Sequence, residues 1–254
     1  MHFYVIKLKS LKIFILLAMV LMLLSFNIGG NTGAQVFFNK VERKIPIYKV
    51  ETQEKKVAIS FDAAWGADKT EKIMEIVSSY GFNATFFLVG FWVDKYPELT
   101  KKISENGFEI GTHSNTHPDM IKLDDTQIKL ELSTSIDKIE KITSKRVELF
   151  RAPFGSYNNN VLSVAESLNL KTIQWDVDSL DWKGISAAQI TSNILKKATT
   201  GSIILCHNTS DNIIEALPTV LSSLKERGYS VVSIGDLIYK SDYRIDSVGK
   251  QIKN

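Results

Sequence analysis

The feature that most constrains the fold is a regular alternation of short apolar segments with amphipathic ones along residues 56–234. The apolar segments have the length and residue types of strands, and the segments between them repeat apolar residues at helical spacing. Since a helix separates each strand from the next, the strands are expected to run parallel, with helices covering the sheet. Seven strands are predicted, at residues 56–61, 84–89, 108–112, 147–151, 172–177, 202–207 and 229–234.

This pattern predicts an α/β fold, specifically a distorted (β/α) barrel with about seven parallel strands. A stretch of about 200 residues is enough for a closed or nearly closed barrel of this kind. The alternative is a doubly wound open sheet, but no glycine-rich phosphate loop follows the first strand. One further short strand is predicted at residues 45–50, before the barrel.

The N-terminus has the pattern of a targeting segment. Lys7, Lys9 and Lys12 precede a 14-residue apolar run at residues 13–26. A basic flank followed by an apolar run is typical of export signals, and 14 residues suit a signal peptide better than a full membrane span. A signal anchor that stays uncleaved remains the alternative, and Thr32, Gly33 and Ala34 offer a passable cleavage site.

Four segments follow from these patterns. Residues 1–34 are predicted to be a signal peptide or signal anchor, and residues 35–54 a linker with one short strand. Residues 55–240 are predicted to form the α/β domain, and residues 241–254 a C-terminal tail.

Charge and cysteine content exclude several classes of protein. The formal net charge is +3, and the three lysines of residues 1–34 account for all of it. Because the remainder of the chain is neutral overall, we expect no nucleic-acid partner. The single cysteine, Cys206, excludes an intrachain disulfide framework and a cysteine-cluster zinc site, and we expect a monomer.

Ionisable side chains follow five of the predicted strands at their carboxyl ends. In a parallel barrel these ends converge on one face, which is where catalytic groups collect. Three of the chain's four histidines are among them. The side chains are Asp62, His113 with His117, Arg151, Asp178 with Asp181, and His207.

Together these residues make the chain resemble the polysaccharide deacetylase family with its NodB-type domain, over roughly residues 55–239. The resemblance is carried by five short motifs, and the first of them, with an N-terminal anchor, is most similar to the sporulation-associated PdaB-type branch. The motifs are SFDAAWG at 60–66, HSNTH at 113–117, RAPFG at 151–155, DSLDW at 178–182 and LCH at 205–207.

The resemblance implies a divalent metal site, with zinc as the expected ion. His113 and His117 match the metal-binding histidines of the family, and imidazole nitrogens suit zinc. The family's third ligand, an aspartate, is replaced by Ala63, and alanine cannot bind a metal. Asp62, Asp68 or solvent remain as candidates for the third ligand.

The resemblance also implies an acid–base mechanism for amide hydrolysis. Asp62 is the expected base, held by Arg151, and His207 is the expected acid, oriented by Asp181. An Asp–Arg pair at a barrel rim and a histidine that ends a buried strand are the structural alternatives. For substrate binding, Trp182 and Leu205 are expected to form the slot for the acetyl methyl group, and the backbone N–H of Phe154 to help bind the oxyanion.

Two tryptophans are a further candidate for sugar binding. Trp65 and Trp92 could stack against sugar rings at the rim of the site, although packing is the more common role of such residues.

We therefore expect an exported, metal-dependent hydrolase that removes N-acetyl groups from cell-wall glycan of the peptidoglycan type. It would be anchored to the membrane or secreted to the cell wall, and the resemblance links it to sporulation. One alternative is a catalytically silent glycan-binding or spore-envelope protein that kept the fold, which Ala63 favours. The other is an amidohydrolase acting on a small N-acyl substrate.

Overall fold

The computed structural model describes residues 8–28 and 43–254. The first part is one helix, α1 (Leu8–Ile28), which contains the predicted apolar run. Among the described residues, none of the helices combines the length and the apolar content needed to cross a membrane. The predicted cleavage site at residues 32–34 lies outside the described residues.

The second part is a compact unit, Lys44–Asn254, built on a parallel sheet. Eight strands belong to this sheet, and they follow a short strand β1 (Lys49–Val50) of a second sheet. The eight are β2 (Lys56–Ala63), β3 (Thr85–Leu88), β4 (Glu109–Thr112), β5 (Leu149–Phe150), β6 (Lys171–Thr172), β7 (Val177–Asp178), β8 (Ile203–His207) and β9 (Ser230–Val232). Seven of them pair in the order β6-β5-β4-β3-β2-β8-β7, and β9 pairs with one end of β2.

Helices connect these strands, and most of them lie close to the positions that helical periodicity in the sequence predicts. They are α2 (Thr70–Ser79), α3 (Gly90–Lys95), α4 (Pro97–Glu105), α5 (Asp125–Thr143), α6 (Asn159–Ser167), α7 (Ala187–Lys197), α8 (Ile213–Glu226) and α9 (Ile234–Leu237).

Local sequence explains where several helices begin. Asp124 and Ser186 each accept a hydrogen bond from the third helical residue and so cap the start of α5 and α7. Pro97 occupies the first turn of α4, where its missing N–H costs nothing. The short helix α3 is not among the predicted elements, since its six residues give too little periodicity to detect.

The sheet differs from the prediction in one connection. The sequence predicts a single strand at residues 172–177, but the segment forms two short strands, β6 and β7, that pair with different neighbours. Between them, Gln174 donates its N–H to Ile47 and Asp176 donates its N–H to Ile203. The chain changes partners here, so the barrel is not closed by pairing between its two end strands.

The C-terminal residues predicted to be a tail form part of a second sheet. Strands β10 (Tyr243–Ile245) and β11 (Lys250–Lys253) are antiparallel, and β11 runs parallel to β1 (Lys49–Val50). The predicted strand at 45–50 is thus shortened to β1 and an isolated bridge at Ile47. Pairing between segments about 200 residues apart leaves no local signal in either sequence.

Strand β2 separates two apolar layers. Its residues Val57, Ile59, Phe61 and Ala63 belong to the large core cluster that includes residues of the helices α2, α5 and α8. The alternate residue Ala58 belongs to the smaller cluster on the other face. Since side chains alternate along a strand, Asp62 and Ala63 lie on opposite faces of the sheet.

Candidate active site

Strand register brings the predicted site residues together. Asp62 at the end of β2 lies directly beside His207 at the end of β8. Thr112 of β4 pairs with Phe150 of β5, which places the next residues, His113 and Arg151, side by side. The carboxyl ends of the strands therefore gather the motif residues on one face, as parallel pairing requires.

Asp62 is held by a buried arginine. Its Oδ1 accepts a hydrogen bond of 2.8 Å from Nη1 of Arg151, and the same nitrogen donates to Oγ of Ser60 at 2.8 Å. The Arg151 side chain is fully buried, and the carbon of its guanidinium group lies 4.2 Å from the centroid of Phe87 and 5.5 Å from that of Trp175. Removing either partner would leave the other charge buried and uncompensated, which is costly.

This pairing governs the ionisation of Asp62. Burial alone raises the pKa of the carboxyl group, but the charge of Arg151, helped by His113 and His207, outweighs it. The pKa of Asp62 therefore lies below its ordinary value, and the group is an anion at neutral pH. A strongly stabilised anion is also a weaker base, which limits how readily Asp62 takes a proton.

The second pair joins His207 to Asp181. Nδ1 of His207 lies 2.8 Å from Oδ1 of Asp181, and the backbone N–H of His207 donates to Oδ2 at 2.8 Å. Burial lowers the pKa of His207, but the hydrogen bond to Asp181 and its charge outweigh burial and raise the pKa. A raised pKa increases the fraction of His207 that carries a proton to donate.

The two histidines of the HSNTH segment lie close to each other. Their ring centroids are 5.0 Å apart, and Nε2 of His113 is 3.6 Å from Oδ2 of Asp62. Nδ1 of His113 lies 2.8 Å from the carbonyl oxygen of Arg151, so it carries the proton and Nε2 keeps its lone pair. Burial lowers the pKa of His113 to about 4, against the charge of Asp62, and burial also lowers the pKa of His117.

Position 63 supplies no ligand beside these rings. Ala63 is fully buried in the apolar cluster. Asp68 lies away from the two histidines and does not line the cavity beside them. Its side chain is 71% exposed and its carboxylate pairs with Lys69. No three His, Cys, Asp or Glu side chains within the described residues are placed to hold a metal ion. The donor set thus falls short of the three protein ligands usual at a catalytic zinc site.

A cavity of about 700 Å³ opens above the paired residues. Asp62, His113, His117 and His207 line it, as do the predicted substrate residues Trp182, Leu205 and Phe154. Three of the lining aromatic side chains are largely exposed to solvent, namely Trp65, Phe154 and Trp182. Exposed aromatic rings at a cavity are suited to packing against the apolar faces of sugars.

The structure corrects one expectation and adds residues that the motifs did not indicate. Trp92 is buried and donates its indole N–H to the carbonyl oxygen of Gly66, so it packs in the core and does not reach the cavity. Ser60 and Trp175 both contact Arg151. The position of Ser60 two residues before Asp62 on the same strand was an available signal, because both face the same side. Trp175 lies where the chain changes sheet partners and had no such signal.

Comparison with known proteins places this geometry in a family. The family model described as polysaccharide deacetylase matches residues 49–173. Peptidoglycan-N-acetylmuramic acid deacetylase PdaA of Bacillus subtilis is 32% identical, with 82% of this chain and 81% of the relative covered. Peptidoglycan-N-acetylglucosamine deacetylase of Bacillus cereus is 29% identical, with 85% and 80% covered.

Two further relatives are less informative about activity. The uncharacterized protein YlxY of Bacillus subtilis is 34% identical, and the match spans 76% of this chain but only 60% of that protein. The crystal structure of a CE4 family pseudoenzyme from Bacillus anthracis is 35% identical with a TM-score of 0.74, covering 76% of this chain and 68% of that one. A mutant of the same protein is described as having restored enzymatic activity. The narrower PdaB-type branch stays a prediction from the sequence motif, but the chain itself belongs to the polysaccharide deacetylase family.

Proposed function

We propose that the chain removes N-acetyl groups from cell-wall glycan of the peptidoglycan type, outside the cytoplasm. The observation that carries the proposal is that Asp62, whose pKa is lowered by Arg151, and His207, whose pKa is raised by Asp181, line one cavity. Pairs of groups whose environments push their pKa values apart are the usual basis of acid–base catalysis. The names of PdaA and the Bacillus cereus deacetylase support a glycan of this type as the substrate.

The reaction would begin at the acetamide carbonyl of a sugar bound in the cavity. A water molecule attacks the carbonyl carbon while Asp62 accepts one of its protons, which gives a tetrahedral intermediate. The carbon–nitrogen bond then breaks as His207 donates a proton from Nε2 to the leaving nitrogen, because its Nδ1 is held by Asp181. The products are acetate and a sugar with a free amine.

The substrate residues would position the acetyl group. Leu205 is almost fully buried at the wall of the cavity, and Trp182 is exposed beside it, so together they can enclose a methyl group. Phe154 has a φ of 60°, a conformation that non-glycine residues rarely adopt and that is often found at functional sites. Its proposed part in oxyanion binding uses the backbone alone.

Metal dependence remains a separate proposal. Two imidazoles are available at His113 and His117, and the third ligand of the family pattern is missing at Ala63. The steps above therefore use only the residues of the chain. Export through residues 1–34 and a link to sporulation are proposals from the sequence pattern.

A second candidate function is a silent glycan-binding protein. It is favoured by Ala63, by the weak basicity of a carboxylate bound to Arg151, and by the likeness to a pseudoenzyme. In that case the exposed aromatic residues at the cavity would hold glycan without hydrolysing it.

One experiment separates these candidates. The full chain is incubated with N-acetylglucosamine oligomers and with peptidoglycan, with and without added Zn²⁺ or Co²⁺, and released acetate is measured. Glycan binding is measured in parallel. Acetate release that is lost in His207→Ala supports the deacetylase. Binding without release under every metal condition contradicts it and supports the silent binding protein.

A further inference from the structure

The segment between the two histidines has an unusual backbone. Ser114 has a φ of 69° and His117 a φ of 59°. Both lie in the left-handed region, which non-glycine residues adopt only when surrounding contacts compensate the cost. The position of His117 relative to His113 therefore depends on whatever holds this segment in place.

Glu131 of α5 makes the largest share of those contacts. Its Oε2 accepts hydrogen bonds from the backbone N–H groups of Asn115 at 2.9 Å and Thr116 at 2.8 Å. Its Oε1 accepts a third, from the hydroxyl of Thr116, at 2.7 Å. A carboxylate that receives successive backbone N–H groups binds strongly, because these hydrogen bonds are charge-assisted.

The opposite side of the segment is held by α3. The N–H groups of Gly90 and Phe91, at the start of that helix, donate to the carbonyl oxygens of Ser114 at 2.9 Å and Asn115 at 3.1 Å. A β-carbon on Gly90 would collide with Asn115, so the approach is close. The segment is thus fixed between two helices. Its charged contacts are Glu131 and Lys138, since Nζ of Lys138 donates to Oδ1 of Asn115 at 2.8 Å.

The fixed backbone places the ring of His117 between two aromatic side chains. Its centroid lies 4.9 Å from that of Trp65 and 4.7 Å from that of Phe154, with both contacts edge-on. His113 is anchored separately through the carbonyl oxygen of Arg151. A change in the backbone at residues 115–116 would move His117 out of these contacts while His113 stayed in place.

We propose that Glu131 is a positioning residue that sets the placement of His117 against His113. The relevance of this role to catalysis rests on the proposed function. Glu131 acts through the backbone of Asn115 and Thr116 and does not line the cavity. Outer contacts of this kind are known to orient the side chains that bind a metal or substrate.

The test measures the ring of His117 directly. The full chain is labelled with isotopes in histidine, and NMR resonances are compared for the wild type, Glu131→Ala, Glu131→Gln and Glu140→Ala. Glu140 is the matched control, since it lies on the same helix and accepts a backbone hydrogen bond from Val147 at 2.9 Å, away from the histidines.

In Glu131→Ala we expect the ring protons of His117 to lose the shifts caused by Trp65 and Phe154, while those of His207 stay unchanged. Glu131→Gln keeps one carbonyl acceptor and should give a smaller change. If the wild type binds Co²⁺ or Zn²⁺, its affinity should fall about 10–100-fold in Glu131→Ala, as is typical for such outer contacts.

Unchanged His117 resonances in a folded Glu131→Ala would overturn the proposal, as would an equal change in Glu140→Ala. If Glu131→Ala does not fold, Glu131→Asp replaces it, because the shorter side chain keeps the charge but cannot span the same contacts. A wild type that releases no acetate would contradict the proposed function and leave the NMR result for Glu131 intact.

Discussion

The two halves of the cavity differ in whether their ionisable side chains have the partners that the family pattern leads one to expect. In the acid–base half, Asp62 pairs with Arg151 and His207 pairs with Asp181, each at 2.8 Å. In the histidine half, two imidazoles line the cavity without a third protein ligand, because Ala63 is buried in the apolar layer on the other face of β2. We infer from this difference that the fold depends more on the first half, since each buried charge there would be left uncompensated without its partner, while alanine fits the apolar layer.

The largest expected effect is in the acid–base half. His207→Ala removes the proton donor, and general acid catalysis typically contributes about 10²–10⁴-fold, so acetate release should fall by that factor. Release is measured on the same N-acetylated oligomers for the wild type and for Glu215→Ala, an exposed residue on the helix that follows β8. A His207→Ala variant that keeps wild-type release would show that this half is not catalytic.

Next in size is the effect of Asp62 on stability. Asp62→Ala leaves the Arg151 charge buried without its carboxylate, which should lower the free energy of unfolding by about 3–5 kcal/mol. Urea denaturation measures this, with Asp68→Ala as the control, because Asp68 is exposed and its pair with Lys69 is worth little. Equal stability of the two variants would mean that Arg151 does not need Asp62 in the folded state.

A smaller effect is expected in the histidine half. Ala63→Asp places a carboxyl group in the apolar layer with Phe61 and Ile59, where burial favours its protonated form. Without metal, burying this uncharged polar group should lower the free energy of unfolding by about 1–3 kcal/mol. Added Zn²⁺ should recover part of this loss if the new carboxylate reaches the histidines, because ligand binding stabilises the folded state.

Ala63→Ser is the matched variant for size without charge. Urea denaturation of both variants with and without Zn²⁺ gives the comparison. Suppose that Zn²⁺ stabilises Ala63→Asp alone, and that this variant releases acetate when the wild type does not. This pair of results would show that the wild type is inactive because it lacks the third metal ligand. No response to Zn²⁺ would show that position 63 faces away from the histidines in solution too.

The smallest expected effect concerns pH. The pKa of His207 in the folded state is raised above its ordinary value of 6.5 by Asp181, despite burial. Its stabilising contribution is therefore fully present below about pH 6.5 and is lost as the pH rises through the folded-state pKa.

Comparison of the wild type with His207→Asn isolates this contribution. The difference in their free energies of unfolding, measured with urea from about pH 5 to about pH 9, should shrink as the pH rises. A difference that stays constant or grows with pH would contradict a raised pKa for His207.

Much of this molecule follows from its sequence. Apolar periodicity predicts parallel strands joined by helices, and the polar residues after Phe61, Thr112 and Cys206 predict a single polar face, because parallel strands end on the same side. The comparisons confirm the family to which the motifs point. Local sequence also determines helix starts such as those at Asp124 and Ser186, since capping needs only residues three positions apart.

Only the tertiary structure decided the remaining features, because they depend on contacts between distant segments. Strand pairing between residues 49–50 and 250–251 gives the tail its structure, and the change of sheet partners at residues 171–178 divides one predicted strand into two. The burial of Ala63 in the layer with Phe61, and the reach of Glu131 to the segment between the histidines, likewise arise from packing. Sequence patterns report on the spacing of neighbours along the chain, and these contacts join residues that no such spacing relates.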